Sequence, residues 1–94
     1  MKLYLIAGEL SGDRLGASLI KGLERILSQP VDFCGVGGPL MIDLGLNSLF
    51  PMEDIAIMGI GEILANYRFL KKRIAQTAKA VIAARPDALI TIDS

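Results

Sequence analysis

The stretch Lys2-Leu3-Tyr4-Leu5-Ile6-Ala7-Gly8-Glu9-Leu10-Ser11-Gly12-Asp13 decides the fold. Leu3 to Ala7 is a continuous apolar run that stops at Gly8, the pattern of a strand buried on both faces of a parallel sheet. Beyond the turn, Leu15, Leu19, Leu23, Ile26 and Leu27 recur at helical spacing with Lys21, Glu24 and Arg25 on the other side, until Pro30 stops the helix. Ser11 or Asp13 is the expected helix cap. A buried strand, a tight turn and an amphipathic helix make the opening unit of a β-α-β fold.

Further along, Val31 to Val36 reads as a second strand, ended by Gly37-Gly38-Pro39. Leu40 to Leu44 then forms a short helix closed by Gly45, and Asn47 to Phe50 a third, short strand. The spacing predicts a long helix from about Gly61 to Ala84, with Ile63, Tyr67, Leu70, Ile74, Ala78 and Val81 on one face and Arg85-Pro86 at its end. Ala88 to Ile92 is the fourth strand. Strands alternating with helices imply parallel pairing through right-handed crossovers, the doubly wound, Rossmann-like α/β architecture.

With 94 residues the chain has room for one small domain, which excludes a site built between two domains inside it. Ten basic and ten acidic side chains cancel, so nothing in the balance points to nucleic acid. The charge is nevertheless divided: residues 1–62 carry eight acidic and four basic side chains and residues 63–94 two acidic and six basic, hence −4 and +4. A hydrophobic content of 52% with a mean hydropathy of +0.50 is high for a free-standing small domain, and predicts that a partner or more chain covers part of the surface. No apolar run approaches the roughly 20 residues of a membrane-spanning helix. Glu9 and Asp13 follow the first apolar run too closely for a signal peptide, so a cytoplasmic location is expected. The single Cys34 and the lack of His exclude a disulfide frame, a zinc site and a His-based triad within these residues, so no metal is expected. Cys34 itself, inside an apolar strand, reads as a small buried hydrophobe, and Met41, Met52 and Met58 as filler. The chain ends at Asp93-Ser94, directly after a predicted strand and where such sheets carry functional loops, which makes residues 1–94 the expected N-terminal part of a longer protein.

Two segments carry chemistry. The first is the loop from Ala7 to Asp13. Gly8 and Gly12 allow a sharp turn and close backbone approach, and the helix start offers N–H groups, yet two carboxylates argue against a phosphate cradle and the known phosphate-loop patterns are missing. Glu9 at the end of the first strand suits hydroxyl binding or proton transfer. Asp93, after the fourth strand, would project from the same sheet edge, where two carboxylates can act as base and orienter; the plainer reading is a helix cap. The second segment is residues 60–73. Ile63, Tyr67, Leu70 and Ile74 form an apolar stripe, Leu64 broadens it, and Phe69 falls beside the basic cluster of Arg68, Lys71, Lys72 and Arg73. Apolar groups rimmed by cations suit an anionic membrane surface. An ordinary helix packed on the sheet with a solvated basic side has the same pattern.

Ala7-Gly8-Glu9-Leu10-Ser11-Gly12-Asp13, Gly35-Val36-Gly37-Gly38-Pro39-Leu40-Met41, Met52-Glu53-Asp54-Ile55-Ala56-Ile57-Met58-Gly59 and Arg85-Pro86-Asp87 with Ile92-Asp93 together resemble the N-terminal part of the lipid-A-disaccharide synthases. The resemblance implies an inverting glycosyltransferase of the GT-B fold that joins UDP-2,3-diacylglucosamine to 2,3-diacylglucosamine 1-phosphate and releases UDP, at the cytoplasmic face of the inner membrane of Gram-negative bacteria. It implies that residues 1–94 belong to the acceptor-side domain and that the UDP-sugar-binding domain lies outside them. It further implies Asp93 as base and Glu9 as orienter, with Gly8, Ser11, Gly12, Asp13, Gly37 and Gly38 around the substrate. Ile60, Ile63, Leu64, Tyr67, Arg68, Phe69, Leu70, Lys71 and Lys72 become membrane contacts, and no cofactor is implied. Another UDP-sugar enzyme of the same fold, such as an epimerase, and a non-catalytic membrane-surface module are the competing readings.

Overall fold

The computed structural model describes residues 1–56 and 67–92. Along these residues run β1 (Lys2–Ala7), α1 (Leu10–Ile26), β2 (Asp32–Val36), α2 (Pro39–Asp43), β3 (Asn47–Ser48), α3 (Glu53–Ala56), α4 (Tyr67–Ala84) and β4 (Ala88–Ile92). The four strands form one parallel sheet in the order β3-β2-β1-β4. The chain therefore walks outward from β1 to β3 and then returns to pair on the other side of β1. This reversal is a topological switch point, which in open α/β sheets opens a crevice at the carboxyl ends of the two strands concerned.

Strand alternation divides β1 between two faces. Leu3, Leu5 and Ala7 pack with Ala17 and Ile20 of α1, Phe33 of β2, and Met41, Leu46, Phe50 and Met52. Leu5, Ile20 and Met41 are wholly buried, each contributing about 1.5–3 kcal/mol of transfer free energy. Ile6 points the other way and with Val36 and Leu89 faces α4 across a groove of about 480 Å³. α1 and α4 thus cover opposite faces, as right-handed crossovers require when the chain walks outward one way and returns the other.

Gly35 makes the β1–β2 pairing possible. Its φ is +140°, and a Cβ there would lie 1.8 Å from the carbonyl oxygen of Leu5, its partner in register. The amino end of the sheet is closed by reciprocal bonds: Lys2 N donates to Asp87 Oδ2 at 2.7 Å, and Asp87 N to the Lys2 carbonyl at 2.7 Å. Lys2 Nζ also donates to the Ala84 carbonyl at 3.1 Å, meeting the negative end of α4.

Several boundaries differ from the sequence reading. α1 begins at Leu10, with Glu9 as its N-cap, so Ser11 and Asp13 lie inside the first turn and not at the cap position. It ends at Ile26, where the Leu27 N–H closes on the Leu23 carbonyl at 2.9 Å, before Pro30 is reached. β3 is only two residues, matched to Cys34 and Gly35. The one-turn α3 was not foreseen; Glu53 and Asp54 sit in its first turn, where carboxylates favour helix starts. The predicted helix 61–84 is described from Tyr67, its earlier residues lying outside the described ones. Of its expected apolar stripe, Leu70 and Val81 are half-buried, whereas Ile74 is 61% and Tyr67 59% exposed. No residue of α4 is buried.

Candidate functional site

The carboxyl edge of the sheet collects the loops singled out in the sequence. Ala7, at the end of β1, is in register with Ile92, the last residue of β4. Gly8 and Glu9 leave the sheet here; Glu9 is exposed, and its carbonyl accepts the Asp13 N–H at 2.9 Å as the first bond of α1. Asp93 follows Ile92 in sequence and lies outside the described residues. Ser11 is exposed on the first turn of α1. Gly12 is buried over the switch point: a Cβ on it would stand 3.4 Å from the Ala7 Cβ and 3.6 Å from the Ile92 carbonyl oxygen. A small residue here lets the start of α1 lie close over the ends of β1 and β4.

Asp13 departs from its expected place as a cap of its own helix. It is 1% exposed and faces the turn after β2. Its Oδ1 accepts the N–H groups of Gly38 and Met41, both at 3.0 Å, and its Oδ2 that of Leu40 at 3.1 Å. These are N–H groups at the start of α2 that lack partners inside that helix, so Asp13 caps α2 from across the fold. A buried carboxylate is costly unless its lone pairs are filled, and three charge-assisted bonds fill them here.

The glycine turn is held from its other side by Ser48. The Gly37 N–H donates to Ser48 Oγ at 3.2 Å, and that hydroxyl donates to the Phe50 carbonyl at 2.7 Å. The N–H donors of Gly37 and Gly38 are thus both used within the protein. What these glycines present to a ligand is a surface without side chains. Beside it lies a cleft of about 470 Å³ whose wall includes Gly37, Gly38, Pro39, Ser48, Met52 and Glu53. The sequence reading missed Ser48 and Glu53 as site neighbours; the Asn-Ser dipeptide ahead of Leu49-Phe50-Pro51 was the only local signal, and it resembles any turn.

At the other segment, Tyr67, Arg68, Phe69, Lys71 and Lys72 are exposed and Leu70 is half-buried, while Ile60, Ile63 and Leu64 lie outside the described residues. Arg73, grouped with the basic cluster from sequence, turns inward instead. Its guanidinium pairs with Asp54 at 2.6 Å and sits 4.8 Å from the centre of the Phe50 ring and 5.1 Å from that of Phe69. The exposed rim is therefore Arg68, Lys71 and Lys72.

Burial is the main cause that pushes the Cys34 thiol up from its ordinary value, with Lys2 drawing it down and Asp32 raising it. That environment disfavours a reactive thiolate. Among the described residues, no three His, Cys, Asp or Glu side chains group closely enough to hold a metal ion. No described helix is long and apolar enough to cross a membrane.

A parallel sheet with a switch point beside its first strand, and a glutamate loop on that strand's carboxyl end, defines a Rossmann-like α/β unit. Residues 3–94 match the family model described as lipid-A-disaccharide synthetase, and the chain belongs to that family. It is 56% identical over 94 residues to the lipid-A-disaccharide synthase of Ruegeria pomeroyi, a match covering all of this chain and 23% of that protein. The enzyme of the same name from Rhodospirillum centenum is 50% identical over 92 residues, 98% of this chain and 23% of its own length. A probable mitochondrial lipid-A-disaccharide synthase of Arabidopsis thaliana is 39% identical over 94 residues, all of this chain and 20% of that protein. The chain thus spans less than a quarter of each of these relatives.

Proposed function

We propose that the protein containing this chain is an inverting glycosyltransferase of lipid A biosynthesis, and that residues 1–94 form part of its N-terminal, acceptor-side domain. It transfers the sugar of UDP-2,3-diacylglucosamine to the 6-hydroxyl of 2,3-diacylglucosamine 1-phosphate. The observation that carries this reading is the family match together with the register of Ala7 and Ile92, which brings the Glu9 loop and the end of β4 to one switch point. The acceptor oxygen attacks the anomeric carbon, the bond from that carbon to the UDP oxygen breaks, and UDP leaves with the electron pair. The hydroxyl proton passes to the carboxylate of Asp93. A positioned base of this kind contributes on the order of 10²–10⁴-fold. Glu9 orients the acceptor or offsets positive charge developing on the sugar ring. The donor's UDP is held by the part of the protein that follows, so residues 1–94 alone are inactive.

Both substrates carry acyl chains, so the enzyme works at a bilayer, on the cytoplasmic face of the inner membrane. Tyr67, Phe69 and Leu70, with Ile60, Ile63 and Leu64 before them, supply the apolar contact, and Arg68, Lys71 and Lys72 the attraction to anionic headgroups, each cation near the surface adding about 1 kcal/mol.

Full-length protein given both substrates is expected to form the disaccharide, read by mass spectrometry, and Asp93→Asn to lose nearly all turnover. Near-normal turnover in Asp93→Asn would reject Asp93 as the base. Formation of an epimerised UDP-sugar without a disaccharide would assign the protein to another reaction. Lys71→Glu with Lys72→Glu is expected to weaken binding to phosphatidylglycerol vesicles while binding to neutral phosphatidylcholine vesicles changes little; equal binding of parent and variant to the anionic vesicles removes the membrane role.

A further inference from the structure

Asp13 joins the loop after β1 to the turn after β2. The Asp13 main-chain N–H is bonded to the Glu9 carbonyl at 2.9 Å, and its carboxylate holds the backbone of Gly38, Leu40 and Met41. We propose that Asp13 is a positioning residue for the transfer reaction: it fixes the Gly37–Gly38 turn against the Gly8–Glu9 loop, so that two strand ends form one rigid wall of the acceptor site. This inference rests on the transferase reading above.

The fit leaves no slack. A Cβ on Gly38 would lie 2.5 Å from Asp13 Oδ2 and 2.6 Å from its Cγ, so the turn presses directly on the carboxylate. From the far side, Ser48 holds the same turn through the Gly37 N–H. A side chain that is 1% exposed does not itself meet substrate, and its effect reaches the site through the turn it anchors. A wall of a transferase site matters through its position, since a displacement of about 1 Å costs on the order of a hundredfold in rate. Asn at position 13 keeps the size of the side chain but replaces one acceptor oxygen by an NH₂ group. With N–H donors facing both oxygens, that NH₂ opposes at least one of them.

The test uses the full-length protein with both substrates and compares Asp13→Asn with the parent at a temperature where circular dichroism shows both folded. The expected result is a kcat per folded molecule lower by about 10–100-fold, with the donor KM within about twofold, because the wall acts on the acceptor in the transition state. A folded Asp13→Asn enzyme with unchanged kcat overturns the proposal, as does a loss of activity accounted for wholly by a smaller folded fraction. If Asp13→Asn does not fold, Ser48→Ala frees the other side of the turn without touching the buried carboxylate. It is expected to lower kcat about 3–5-fold at unchanged donor KM, and an unchanged kcat in this variant overturns the proposal. A parent that forms no disaccharide overturns the transferase reading and this inference together; an active parent with unaffected variants overturns this inference alone.

Discussion

The two faces of the sheet hold their helices by different means. On the first, Leu3, Leu5 and Ala7 meet Ala17, Ile20 and Met41, all buried, and the buried Asp13 has its carboxylate filled by backbone N–H groups. On the second, α4 crosses the groove beside Ile6, Val36 and Leu89 without burying a residue of its own. It is fastened at points: Arg73 to Asp54 and Phe50 towards one end, Lys2 to the Ala84 carbonyl at the other. The first face carries its stability in close packing, where small changes of volume are felt. The second carries it in a few polar links, and leaves apolar groups such as Ile74 and Ile82, the latter 76% exposed, uncovered within this chain.

This contrast can be broken most severely at Gly35, which supports the frame of the packed face. Gly35→Ala places a methyl group onto the Leu5 carbonyl and forces a side chain into φ +140°. The expected cost is roughly 3 kcal/mol or more, read as a large fall in the urea midpoint of the full-length protein. A loss below about 1 kcal/mol would mean that β1 and β2 do not meet as described.

A smaller effect is expected on the other face. Arg73→Met keeps much of the stem and removes the ion pair to Asp54, whose partners are 25% and 23% exposed, along with the ring contacts. The expected loss is about 1 kcal/mol. A double-mutant cycle with Asp54→Asn separates the ionic part, and a loss of 3 kcal/mol or more, the range of a broken buried pair, would mean that α4 is held as firmly as α1.

The smallest effect concerns Cys34, in the strand between the two faces. Burial raises its pKa in the folded protein above the unfolded value of 9.0, so folding favours the neutral thiol. Its contribution to stability is fully present below that unfolded value and declines as pH rises through the folded one. Thiol-reagent labelling at pH 8 should be slower in the folded protein than in urea. Equal rates would place Cys34 in an open environment.

The strands and the first helix were legible because their signals are local. The run Leu3 to Ala7 and the helical spacing from Leu15 to Leu23 depend only on neighbours a few residues away, although the face was misjudged: Leu15 is 54% and Ile26 79% exposed, and α1 buries Gly12, Gly16, Ala17 and Ile20 instead. Asp13 was misread for the opposite reason. Within Ser11-Gly12-Asp13 it has the composition of a helix cap, and the N–H groups it serves belong to residues 25 to 28 positions further on, a pairing no short window contains. Arg73 was placed with its basic neighbours by sequence, and only tertiary structure brings Asp54 and Phe50 to it. The periodicity of α4 foretold an amphipathic helix correctly, but whether a stripe is covered depends on what lies opposite. The strand end and the glycine turn after it were legible as such, but not what each glycine does: Gly35 is a close approach of strands, and Gly37 and Gly38 form a clamped corner.

The pairing of β1 with β4 also sets a timetable. Of the four strands β1 is made before the others and lies inside the sheet, yet the partner on one of its edges begins only at Ala88. On a ribosome adding roughly 5–20 residues per second, the stretch from Ser48 to Ala88 takes about 2–8 s. Through that interval β1, β2 and β3 can already be joined while one edge of β1 stands open, a template for mispairing with other nascent chains. The early layer of α1 and α2, locked by Asp13, is the part of the fold that can form during the wait.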